Sequence, residues 1–344
     1  MDLAQAEDRE LFRSILEKSS RIVITTHSNP APDAIASSYG MLSLVRHLVR
    51  RTSIIVQSGS IGRAENRSLI EACRIKLTDM RNADITARDT IILVDAQHPN
   101  SNYPLPKKMM PRIVIDHHPL RAKTYGVPYH DIRPSFGSTA TIIYEYLTAF
   151  EVPVTKNAAT ALFYGIKTDT ADLSRGVTNA DIAAHQALVK RMDHRRIAVI
   201  ENAPLPLEYY REIFKGLSNA MRYENIVIVH LHSIPAPDYA SLIADFFLRC
   251  EKVNWVLVSG RSNEHLILSL RSKKVRRNAG EIIKSLTAKY GSGGGHGAYA
   301  AGTIPLMGKD EDAMEKIERD MVAKLLTKLA GRVMVGERFF DAAT

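Results

Sequence analysis

The segment RIVITTHSNPAPDAIASSYGMLSLVRHLVR, residues 21–50, decides the fold. It opens on the β-branched apolar run RIVITT at 21–26, and from Ala34 to Arg50 its apolar residues recur at helical spacing, so it reads as a strand feeding a helix. Ahead of it, Leu11, Phe12, Ile15 and Leu16 share one face of a helix over 8–18. Behind it, SIIVQS (53–58), TIILVD (90–95) and RIVID (112–116) are further short apolar runs. Strands that are apolar throughout are those of a parallel sheet covered on both faces. The expected architecture is α/β, with an N-terminal parallel, Rossmann-like sheet.

Helices are predicted over 138–150, 156–166 and 179–191, the last opening on Thr178 and Asp181 at capping-box spacing. The stretch 192–214 then mixes prolines and charges and reads as a connector with some helix of its own. A second alternation follows: IVIVHL (226–231), a helix around 241–249, NWVLVS (254–259) and HLILSL (265–270) paired as a hairpin, a helix near 278–288, the glycine-rich GSGGGHGAYAAG (291–302), and a charged helix over 309–330. The expected domains are 1–191, a connector at 192–222, and a smaller mixed α/β domain at 223–344.

The chain's 344 residues, 45% hydrophobic and 24% charged, suit two domains that each bury a core, and exclude a disordered chain or a small disulfide scaffold. Cys73 and Cys250 lie in unrelated apolar segments and read as buried thiols in a reducing compartment. No apolar run approaches the ~20 residues that span a bilayer, and the N-terminus lacks a basic-then-apolar signal pattern, which points to the cytoplasm. A net charge of +9 favours anionic partners.

In open parallel sheets ligands gather at the carboxyl ends of strands. Here those ends carry metal-type side chains. His27 follows RIVITT, with Asp33 six residues on; Asp95 ends TIILV; Asp116, His117 and His118 end RIVI; and Asp169 lies just beyond the helix at 156–166. Carboxylates mixed with imidazoles suit a divalent ion such as Mn²⁺, and a pair of such ions would activate water and clamp a phosphoryl oxygen.

These residues resemble the DHH phosphoesterases, named for the triplet found here as Asp116-His117-His118. The similarity is to the branch with the DHH-associated C-terminal domain, which includes small oligoribonucleases (nanoRNases) that also act as pAp phosphatases. Six segments carry it in family order: THSNPAPDAIASS (26–38), ILVDAQ (92–97), VIDHHP (114–119), GSTATIIYEYL (137–147), GIKTDTADL (165–173) and GSGGGHGAYAAG (291–302). The resemblance implies that His27 and Asp95 hold a first Mn²⁺ and that Asp33, Asp95, His117 and Asp169 hold a second. It also implies that His118 faces the scissile phosphate and that Asp116 orients a ligand histidine. Arg271 and Ser272, with Gly293, Gly294, Gly295 and His296, would anchor substrate, the glycines forming a loop whose backbone N–H groups approach a phosphate. The active site would lie in the cleft between the two domains.

Two positions depart from the family pattern. Where its first motif reads His-x-x-Pro-Asp-x-Asp, this chain has Ala31 in place of the first aspartate. Either the branch has lost a ligand of the first metal or the residue is an engineered change, and the typical flanking residues favour the second. Ala171-Asp172-Leu173 replaces Gly-x-Phe, for which a local packing difference is expected. The expected function is hydrolysis of very short RNAs or linear dinucleotides to mononucleotides, or removal of the 3′-phosphate of pAp, by a homodimer that binds no membrane. The alternatives are a cyclic-dinucleotide phosphodiesterase and, because of Ala31, a catalytically weakened nucleotide-binding protein.

Overall fold

In the computed structural model the described residues are 5–98, 105–106, 109–274, 277–308 and 311–340. The chain divides into two compact units, residues 1–204 and 205–344. Among the described residues no helix is long and apolar enough to cross a membrane.

The first unit contains α1 (Ala6–Glu17), β1 (Arg21–Thr25), α2 (Pro32–Leu48), β2 (Thr52–Gln57), α3 (Ala64–Cys73), β3 (Leu77–Asp79), β4 (Thr90–Val94), β5 (Ile113–Asp116), β6 (Tyr129–Ile132), α4 (Thr139–Ala149), α5 (Lys156–Asp169), α6 (Asn179–Val189) and α7 (His194–Glu201). Its six strands make one sheet in the order β3-β2-β1-β4-β5-β6, and every pairing is parallel. The apolar runs of β1, β4 and β5 are buried because helices cover them, as their unbroken hydrophobicity requires. The strand order reverses between β1 and β4, so the crevice where such sheets bind ligands opens at the ends of these two strands. The α2 helix packs on α4 and α5. It comes so near that a Cβ on Gly40 would sit 2.6 Å from Ile143 Cγ2.

Two strands of the first unit escape the sequence reading. The β3 strand has three residues, and β6, YHDI, interrupts its apolar residues with His130 and Asp131. Tertiary contacts with α4 hold β6: Tyr129 is fully buried with its hydroxyl 2.7 Å from that of Tyr146, and Asp131, which pairs locally through both oxygens with Arg133, also accepts from Tyr146. The capping box at Thr178 and Asp181 is present. Cys73 is buried and Cys250 half-buried, and both are free thiols.

The second unit contains α8 (Leu207–Asn219), β7 (Ala220–Tyr223), β8 (Ile226–Ser233), α9 (Asp238–Leu248), β9 (Trp255–Ser262), β10 (His265–Ser272), α10 (Ala279–Thr287), β11 (Ser292–His296), β12 (Tyr299–Pro305), α11 (Glu311–Ala330) and β13 (Glu337–Arg338). These strands form a mixed sheet in the order β11-β12-β10-β9-β8-β7-β13. One face carries α8 and α9 and the other α10 and α11, with an apolar core on each side. The expected hairpin is β9–β10, closed by a two-residue turn. The segment 192–222 is divided: α7 lies in the first unit, while α8 and the start of β7 lie in the second.

The glycine run corrects the expected loop, because residues 292–296 are an edge strand paired with β12. Glycine is needed there for close approach. A Cβ on Gly293 would lie 2.8 Å from Thr287 Oγ1 of α10, and one on Gly295, whose φ is +152, 2.3 Å from the Tyr299 carbonyl oxygen.

Candidate metal centre

The seven metal-type residues converge at the carboxyl edge of the first sheet. His27 follows β1, Asp33 lies in the first turn of α2, and Asp95 follows β4. Asp116 ends β5 with His117 and His118 behind it, and Asp169 is the last residue of α5 rather than beyond that helix. Asp95 has φ +53, a left-handed conformation that aspartate tolerates, and it turns the chain while its N–H still donates to Ile115. Two groups of side chains have all their ligand atoms within 4.8 Å of one another: Asp33, His117 and Asp169, and Asp95, His117 and His118. His27 joins through Asp95, its Nε2 lying 3.7 Å from Asp95 Oδ2.

Each ring is fixed from behind. His27 Nδ1 meets the Ser28 carbonyl at 2.9 Å and His117 Nδ1 meets the Phe136 carbonyl at 3.1 Å. A carbonyl accepts only from N–H, so in both rings Nε2 is left facing the carboxylates, as in metal-bound histidines. His117 Nε2 lies 3.1 Å from Asp169 Oδ2 and 3.7 Å from Asp95 Oδ1. Asp116, which is buried, holds His118 Nδ1 at 2.8 Å and accepts the His117 backbone N–H at 2.9 Å. The ring that Asp116 orients is therefore that of His118, while His117 is oriented by a backbone carbonyl.

Thr139 escaped the sequence reading. Its N–H donates to Asp33 Oδ2 at 2.8 Å and its hydroxyl to Asp95 Oδ1 at 3.0 Å, so one residue ties the two buried carboxylates together. Ala140 N–H donates to the other oxygen of Asp33 at 2.9 Å, seating that carboxylate on the amino end of α4. The only signal in sequence was the place of Thr139 inside GSTAT, where a hydroxyl is a common helix-start residue.

The charge balance fits a cation. Burial, followed by the charges of Asp95 and Asp169, raises the Asp33 carboxyl well above its ordinary range. Burial alone would lower His117, but the hydrogen bond to Asp169 and the surrounding carboxylates outweigh it and raise the ring to about 10. His118 goes to about 9 in the same way, Asp116 supplying the hydrogen bond. Burial would raise Asp95, yet His27, His118 and His117 lower it to about 2. The cluster of carboxylates thus collects protons on its imidazoles. Divalent ions would supply the same positive charge to the same oxygen and nitrogen donors.

Ala31 is the N-cap residue of α2, and no side-chain capping bond is made there. Ala171, Asp172 and Leu173 have φ of +48, +56 and +60, which explains why glycine suits the first of these positions.

In the second unit, Arg271 and Ser272 end β10. Arg271 is 9% exposed; its Nε pairs with Asp245 Oδ1 at 2.7 Å, and its guanidinium lies 5.1 Å from the Tyr299 ring centre. Ser272 is buried and its Oγ accepts the Lys274 N–H. Gly293, Gly294 and Gly295 run along the edge strand β11, and His296 ends it, its side chain lying outside the described residues. Of the other basic residues of LRSKKVRRN (270–278), Lys273 reaches the Cys250 carbonyl and Arg277 the Leu329 carbonyl, and Arg276 is outside the described residues.

Both units are similar to known proteins. Residues 21–166 match the DHH family, N-terminal domain, and residues 225–323 match the DHHA1 domain. The uncharacterized protein MJ1633 of Methanocaldococcus jannaschii is 32% identical over 325 residues, covering 92% of this chain and 65% of that protein. An A-adding tRNA nucleotidyltransferase of Geobacter sulfurreducens is 24% identical over 329 residues, covering 90% of this chain. The chain spans only 65% and 35% of the lengths of these two relatives. Among solved structures, an exopolyphosphatase-related protein of Bacteroides fragilis superposes with a TM-score of 0.71 at 20% identity, covering 94% of this chain and 98% of that one, which establishes a shared fold.

Proposed function

The chain belongs to the DHH family, with a DHH N-terminal domain followed by a DHHA1 domain, and from that premise we propose that it is a metal-dependent phosphoesterase acting on short nucleotide substrates: very short RNAs, linear dinucleotides or pAp. One observation carries the reading: Asp33, Asp95, Asp169, His27 and His117 present carboxylate oxygens and imidazole Nε2 atoms to one point at the switch of strand order, with His118 beside them. These five residues would hold the divalent ions, for which Mn²⁺ suits the mixed donor set. Bound there, such ions polarise a phosphoryl oxygen and make water a nucleophile near neutral pH.

The chain's own groups supply the rest. Thr139 and Ala140 hold the carboxylates so that they do not rearrange as the substrate enters. His118, with Nδ1 committed to Asp116, offers Nε2 to a phosphoryl oxygen or to the departing oxygen. In the DHHA1 domain, Arg271, Ser272 and the outer backbone edge of Gly293–Gly295 are assigned to a terminal phosphate, with His296 beside them. Ala31, which puts a side chain without a carboxylate at the N-cap of α2, favours a second reading in which the same site binds nucleotides and turns them over slowly.

The test incubates the chain with a labelled dinucleotide, pAp and a cyclic dinucleotide, each with Mn²⁺ and with chelator. Metal-dependent mononucleotide from the linear dinucleotide, or AMP from pAp, is the expected product. A protein that loads Mn²⁺ yet cleaves none of the three would refute the phosphoesterase reading.

A further inference from the structure

Gln97 is two residues past Asp95, at the end of ILVDAQ, and is 2% exposed. Its amide is committed on both sides. Nε2 donates to Asp116 Oδ2 at 2.7 Å and lies 3.3 Å and 3.2 Å from the carbonyls of His118 and Pro119. Oε1 accepts the Arg121 N–H and the Thr124 hydroxyl, each at 2.9 Å. The orientation of the amide follows from these partners, because a flipped group would set its oxygen against a carboxylate and its N–H₂ against two donors.

We propose that Gln97 is a positioning residue for the phosphoester reaction: by holding Asp116 and the 118–124 segment in one arrangement, it fixes the direction in which His118 presents Nε2. Asp116 shares its oxygens between two tasks. Oδ1 takes His118 Nδ1–H and the His117 N–H, and Oδ2 takes Gln97. A buried carboxylate needs its lone pairs satisfied, and with Oδ2 unpaired it would rotate or recruit water, carrying the His118 ring with it.

A neutral amide suits the position for a physical reason. Arginine or lysine there would neutralise Asp116 and loosen its hold on the imidazole N–H, and glutamate would place a second carboxylate against the first. The glutamine carbonyl meanwhile draws in Arg121 and Thr124, so the chain following His118 is tied to the residue that orients it. Gln97 itself touches no ligand atom of the metal cluster, and its effect passes through Asp116 to His118.

The inference rests on the phosphoesterase reading, and the experiment separates the two. Wild type, Gln97→Leu, Gln97→Glu, His118→Ala and the Gln97→Leu/His118→Ala double variant are compared for kcat, KM and bound Mn²⁺. The His118 ring N–H is followed in the metal-free full chain by ¹⁵N-labelled NMR. Outer partners of this kind are worth roughly 10- to 100-fold in activity. Gln97→Leu should lose that much in kcat with KM and metal content within about twofold, and should displace the His118 Nδ1–H resonance. In the His118→Ala background it should cost nothing further. Equal losses in both backgrounds, an unchanged kcat in Gln97→Leu, or an undisplaced resonance would overturn the proposal. Should Gln97→Leu fail to fold, the near-isosteric Gln97→Glu carries the same comparison. An absence of phosphoesterase activity in wild type would count against the functional reading alone, and the resonance would still decide the role of Gln97.

Discussion

Raising the pH should tighten divalent-ion binding at the carboxylate–imidazole cluster. His117 Nε2 faces Asp169 and Asp95, and its ring is raised to about 10 from an ordinary 6.5. The sign follows from linkage. A raised imidazole pKa stabilises the metal-free fold fully below about 6.5, and that contribution is lost as pH rises through about 10. An ion binds the neutral ring, so at pH 7.5 it must first displace a proton held 2.5 pH units above ambient. At ~1.36 kcal/mol per unit, the displacement costs about 3 kcal/mol, or roughly 300-fold in apparent affinity. From pH 6.5 to 8.5 the apparent association constant should therefore rise about tenfold per pH unit, with one proton released per ion. Calorimetric titration of Mn²⁺ into the full chain, in buffers of different ionisation enthalpy, measures both quantities. A slope near two would add His118, itself raised to about 9. A flat profile without proton release, or a full slope surviving in His117→Gln, would refute the assignment, the latter moving the proton to Asp33.

Three further substitutions test particular contacts. Asp95→Asn fits the left-handed φ of +53 that asparagine also tolerates, so the fold should remain by circular dichroism while Mn²⁺-dependent hydrolysis falls at least ~100-fold; retained activity would show that Asp95 is not a ligand. Ala31→Asp should cap α2, adding ~1 kcal/mol in urea denaturation, and should raise bound Mn²⁺ and increase kcat at least ~100-fold; unchanged metal content and kcat would mean the site is adapted to alanine. Ala171→Gly relieves a φ of +48 at the start of three left-handed residues and should stabilise the chain by about 1 kcal/mol; a lower thermal midpoint would contradict the strain argument.

Much of this protein could be read from local pattern. Unbroken apolar runs at 21–26, 90–95 and 112–116 identify buried parallel strands because only a sheet covered on both faces excludes water from every side chain. The residues ending those runs then fall on one edge of the sheet, and so His27, Asp95, Asp116, His117 and His118 were legible as a group. The hairpin β9–β10 and the capping box at Thr178 are likewise short-range features. Polar β6 is not legible, since its place depends on Tyr146, which belongs to α4 and bonds both Tyr129 and Asp131.

The tertiary structure decided which groups hold the site in place. Thr139 and Gln97 carry no charge, and their side chains are among the commonest in helix starts and loops. Only folding sets the hydroxyl of Thr139 on Asp95, 44 residues away, and the amide of Gln97 on Asp116, 19 residues away. The glycine run reads as a loop because glycine's freedom is visible in sequence, whereas the neighbours that leave no room for a Cβ, Thr287 of α10 at Gly293 and the Tyr299 carbonyl of β12 at Gly295, are not. The charge of Arg271 is visible in sequence, whereas its partner Asp245, which α9 brings to within 2.7 Å of its Nε, is not. In each case the sequence displays the chemistry of a side chain. Its direction and its partner come from packing between segments distant in the chain, since a hydrogen bond needs both groups within about 3 Å and suitably aligned.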